Sequence, residues 1–108
     1  MGRGIIKLEK GGESRYLEWS TIVDAPVTWG MTIEEFREYY REEYGAIGMR
    51  GLPDRIVRVE EKGTSFRYDD QLIDTIAHNR AGVNESTISH DEIWKIYVDE
   101  RPTDEGGE

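Results

Sequence analysis

Two adjacent glycines, Gly11-Gly12, separate two strand-like runs, Ile5 to Glu9 and Arg15 to Val23. A two-residue loop of this kind closes a type I′ turn, which needs positive φ at both positions, and glycine adopts that without a Cβ clash. The chain therefore opens on an antiparallel hairpin whose register follows from the turn. Ile6 faces Leu17, Gly4 faces Trp19 and Lys10 faces Glu13, pairing apolar with apolar and cation with carboxylate. A three-residue loop would instead set Lys7 against Leu17.

The hairpin runs into the least charged part of the chain. Tyr16 to Met31, YLEWSTIVDAPVTWGM, holds two of the three tryptophans and only two charges, whereas 34% of the whole chain is charged. That contrast marks a segment that organises the core or meets a partner. Pro26 cannot donate a ladder hydrogen bond and biases Ala25 toward extended geometry, so the second strand should end near Asp24. An apolar, irregular loop then leads to Gly30.

Thr32-Ile33-Glu34-Glu35 is a capping box, with the threonine hydroxyl and the Glu35 carboxylate each satisfying an orphan amide. A helix follows and should stop at Gly45, which tolerates a left-handed cap. At 100° per residue Ile33, Phe36, Tyr40 and Tyr44 share a narrow apolar arc, with Glu34, Glu35, Glu38 and Glu42 opposite. Gly45, Gly48 and Gly51 read as a flexible connection. Pro53 then suits the first turn of a short helix to Lys62, capped by Gly63. Its β-branched residues leave a strand and turn over 56–68 as the alternative. Asp69 is an N-cap candidate for a helix, DQLIDTIAHNRA, that ends at Gly82. Ser89-His90-Asp91-Glu92 is a second capping box, which favours helix over a third strand at 93–98 before Pro102. The whole is one α+β domain over 1–102, an N-terminal antiparallel β-hairpin packed against three to four short α-helices, with 103–108 as a flexible acidic tail.

Several kinds of chemistry find no support. With no cysteine there is no disulfide, thiolate metal site or thiol nucleophile. Asp70, Asp74 and His78 recur every four residues along one helix, but three residues over two turns span too far to share one ion, so no metal is expected. Asp70 and Asp74 suit a helix N-terminus, and His78 suits its C-terminal end. His90 and its acidic neighbours are accounted for by the cap. Ser20, Thr21 and Asp24 lack any nucleophile-elbow pattern. Gly45, Gly48 and Gly51 are not followed by a phosphate-loop lysine. No catalytic residue and no cofactor is expected.

The net charge of −9 is concentrated late, with a balance of −8 over residues 69–108. Such a balance disfavours phosphate backbones and anionic lipid surfaces, so direct nucleic-acid and membrane binding are not expected. The longest uncharged run, Ala25 to Ile33, is too short to span a bilayer, and Met1 to Gly12 has no signal-like apolar core, which points to a cytoplasmic protein. The ladder Glu34, Glu38, Glu42 has a spacing of about 6 Å, near that of phosphates along a strand, and could imitate nucleic acid; a solvated face is the plain alternative.

Glu18-Trp19-Ser20-Thr21-Ile22-Val23-Asp24-Ala25-Pro26-Val27-Thr28, followed by Gly30-Met31-Thr32, resembles a segment of small proteins of unknown activity encoded by bacteriophages of actinobacteria. The likeness covers about the first half of the chain and carries no functional residue with it. It implies a phage setting and, by analogy, an accessory protein that binds a host or phage protein. The expected function is accordingly a non-enzymatic interaction module, with Trp29, Met31, Glu34, Glu38, Tyr39 and Glu42 as partner-binding residues. A nucleic-acid-mimicking inhibitor of a host defence nuclease and a virion assembly component are the alternatives.

Overall fold

The computed structural model describes residues 3–66 and 71–102. Strands β1 (Arg3–Lys10) and β2 (Glu13–Ser20) form the expected antiparallel hairpin, with Gly4 opposite Trp19, Ile6 opposite Leu17 and Lys10 opposite Glu13. Gly11 and Gly12 have φ of 60° and 83°, as the turn requires. β2 stops earlier than expected. The Ser20 hydroxyl accepts the amides of Ile22 and Val23, Asp24 turns at φ 55°, and a two-residue strand β3 (Ala25–Pro26) pairs back on Trp19 and Ser20. Pro26 is tolerated there because β3 lies at the edge of the sheet.

Both faces of the hairpin are covered, so its burial does not alternate. Ile5 and Tyr16 face a core built with Phe36, Tyr40, Leu52 and Val59, while Ile6, Leu8, Leu17 and Trp19 face a second core with Ile93 and Trp94. Thr64 bridges to Ile6 on one sheet edge and Met31 bridges to Tyr16 on the other. These pairings occupy edge amides and carbonyls that would otherwise invite another chain.

The first core is closed by α1 (Ile33–Lys62), capped at Thr32 by the expected box and at Gly63 in the left-handed conformation, φ 85°. The first limb of this helix stops at Gly45, as expected, at φ 67° and ψ −162°. The chain is helical again over 46–62. The connector expected around Gly48 and Gly51 is therefore a helical limb, and Pro53 lies inside it instead of at its first turn. Met49, Leu52, Ile56 and Val59 recur at helical spacing toward the first core, and this burial outweighs the β-branched preference of 56–59.

The second core is closed by shorter pieces: α2 (Leu72–Ala77), a 3₁₀ turn at Val83–Glu85, α3 (His90–Trp94) and a π-helical turn at Lys95–Asp99. The Ser89 capping box is present, and 93–98 is helical. Helix α2 is half the expected length. Asn79, fully buried, donates to the carbonyls of Ile76 and Ile88 and accepts the amides of Ala81 and Ile88, so it folds the chain back where a helix would continue. The cap expected at Asp69, the alternative strand's end at Tyr68 and the tail at 103–108 lie outside the described residues. Among the described residues no helix is long and apolar enough to cross a membrane.

Candidate functional site

Trp29 is 42% exposed on the loop between β3 and α1, its ring tilted against Tyr97 at 5.6 Å between centroids. Arg101 fastens this loop to the start of α1 by donating to the Gly30 carbonyl at 2.7 Å and to Glu35 at 3.0 Å. The Glu35 carboxyl is held below its ordinary range first by the Thr32 amide it caps and then by Arg101. Trp29 thus sits beside the first turn of α1, from which Glu34, Glu38 and Glu42 project along an exposed face. Glu38 pairs with Arg41 at 2.6 Å.

Two of the expected contact residues are placed otherwise. Met31 is 8% exposed and belongs to the first core, because its amide and carbonyl pair with Tyr16 and turn its side chain inward. Tyr39 is half-buried, packed on Phe36, and its hydroxyl donates inward to Glu18 at 2.5 Å. Trp29, Glu34, Glu38 and Glu42 are exposed.

A second site was missed. Glu18 is 3% exposed, on the face of β2 that meets α1. A buried carboxylate is costly unless its oxygens are satisfied, and here Tyr39 donates to one oxygen and Tyr44 to the other. Arg3 approaches at 3.6 Å from the sheet edge. Burial, and then the bond to this carboxylate, push the Tyr44 phenol up to about 12 and Tyr39 further still. The signal lay in the register: the hairpin that sets Ile6 against Leu17 also sets Ile5 against Glu18, an inward position, opposite a helix rich in tyrosine.

Between this cluster and the resumed limb of α1 lies a cleft of about 350 Å³, lined by Arg3, Glu18, Tyr40, Tyr44, Gly48 and Arg55, among others. A Cβ at Gly48 would stand 2.3 Å from that of Tyr44, so glycine there is what lets the two limbs close on each other. The Arg55 Nε is buried and has no hydrogen-bond partner among the described residues.

The imidazoles lie apart from this cleft. His78 caps α2, its Nδ1 2.9 Å from the Asp74 carbonyl, and lines a cleft of about 170 Å³ with Asp24 and Asp74. Arg80 holds the Asp24 carboxylate at 3.3 Å. His90, on the first turn of α3, stands 3.7 Å from Asp91. Ser20, the nucleophile considered beside Thr21 and Asp24, spends its hydroxyl on the turn that ends β2. Among the described residues no group of three or more carboxylates and histidines converges to hold a metal ion. Comparison with protein-family models, curated proteins and solved structures returns no match.

Proposed function

We propose that this chain is a non-enzymatic interaction module that binds a protein of a bacterial host or of a phage. The contact surface joins Trp29 to the acidic outer face of α1. What supports this reading is the exposed indole, propped by Tyr97 and fastened through Arg101 to the helix that carries Glu34, Glu38 and Glu42. A large aromatic held in one orientation loses little entropy on binding, and such residues anchor protein interfaces. The carboxylates around it steer a basic partner and set its orientation.

The test is affinity capture from the native host's lysate, read by mass spectrometry, with the unaltered chain and with Trp29→Ala. Because Trp29 has one aromatic neighbour, its loss should cost about 1 kcal/mol of stability, against about 3–5 kcal/mol for a buried tryptophan such as Trp19. Capture of a discrete protein by the unaltered chain, lost in the variant, is the expected result. An unchanged set of captured proteins would refute the assignment.

The exposed Glu34, Glu38, Glu42 ladder also favours a second reading, occupation of a nucleic-acid channel in a defence nuclease. That reading requires inhibition to collapse when all three are changed to glutamine and to fade with salt. The break at Gly45 limits the ladder to the first limb of α1.

A further inference from the structure

We propose that the cleft between the hairpin and the break in α1 binds a small aromatic carboxylate, with Arg55 receiving the anionic head and Tyr40 and Tyr44 forming the wall against its ring. The charges in the cleft are unevenly matched. Glu18, at its base, spends both oxygens on Tyr39 and Tyr44 and has Arg3 beside it. Arg55 lines the same cleft and has no carboxylate within ion-pairing distance among the described residues. A guanidinium that lines a cleft without a carboxylate partner favours an anion there, and a planar oxyanion matches the guanidinium fork in both charge and shape. The ligand class follows from the rest of the lining. Tyr40 and Tyr44 stand 4.6 Å apart, inclined at 48°, and form an aromatic wall. The cleft, at about 350 Å³, has room for a single ring with its head group. A bare inorganic anion would satisfy Arg55 and leave the wall uncovered.

The probe is benzoate, titrated into the full chain and followed by heteronuclear NMR. The Arg55 Nε–H resonance and the amides of Tyr44 and Gly48 should shift saturably. Arg55→Gln should weaken binding by about tenfold or more, whereas Arg50→Gln, on the exposed side of the same limb, should leave it unchanged. Inorganic phosphate should bind more weakly than benzoate, and benzylammonium should not move these resonances. The Arg55 Nε–H signal is read in the unaltered protein, so the test survives a variant that fails to fold. Benzoate that leaves that signal in place, phosphate that binds as tightly as benzoate, or benzylammonium that occupies the cleft through Glu18 would each overturn the proposal.

Discussion

Glu18 is a carboxylate at a strand position where an aliphatic side chain would bury without cost, and two phenols from α1 are what make it tolerable there. The same bonds tie the helix to the sheet on the side of the cleft. Glu18→Ala should lower stability by about 2–4 kcal/mol, since it strands two half-buried hydroxyls, while Tyr44→Phe, at the exposed end of the cluster, should cost about 1 kcal/mol. Urea denaturation checks both, and equal losses would mean that the carboxylate is not the hub. Legibility at this scale was uneven. Trp29, expected as a partner-binding residue, is exposed. Met31 was not recognisable as core, because its inward turn depends on a backbone pairing with Tyr16 that no local pattern announces.

Elements were most legible where a cap or a turn fixes the backbone locally. The hairpin register, the Thr32 and Ser89 capping boxes and the Gly63 cap all follow from side chains within a few residues of the feature they create. Two errors had tertiary causes. Residues 46–52 look like a glycine-rich connector in isolation, yet Met49 and Leu52 gain burial only if that stretch is helical. Helix α2 ends early because Asn79 bonds to Ile88, nine residues on. Asn79→Ala should therefore cost about 2–4 kcal/mol, a loss out of proportion to the side chain's size. Gly45→Ala should cost about 1–3 kcal/mol, because φ 67° with ψ −162° is a region open essentially to glycine alone. A neutral Gly45→Ala in thermal melts would mean that the two limbs can realign without the break.

Across the whole molecule, a hairpin buried on both faces makes stability depend on ion pairs and phenols around its rim. Lys7 and then Tyr16 hold the Glu60 carboxyl below its ordinary value of 4.5, as the Thr32 amide and Arg101 do for Glu35. The unfolded chain takes up these protons first, so this stability is present above about 4.5 and lost as pH falls further. On the alkaline side Tyr39 and Tyr44, and Lys7, bonded to Glu60, are held above their ordinary values of 10 and 10.5. The unfolded chain releases these protons first, and stability falls as pH rises beyond about 10. Melting temperature against pH should show a plateau between these limits, and Glu60→Gln should flatten its acid shoulder. A midpoint of loss near neutrality would contradict the assignment.

The claim that this molecule acts through the surface around Trp29 and the outer face of α1 is tested most directly by its footprint in a complex. Carbodiimide labelling of carboxylates, mapped by mass spectrometry on the free chain and on the chain recovered with its captured partner, reads every exposed glutamate at once. Protection of Glu34, Glu38 and Glu42, with Glu9 and Glu13 on either side of the hairpin turn labelled as before, is the predicted result. Protection centred on the hairpin turn or on α3, with the α1 ladder fully labelled, would contradict it.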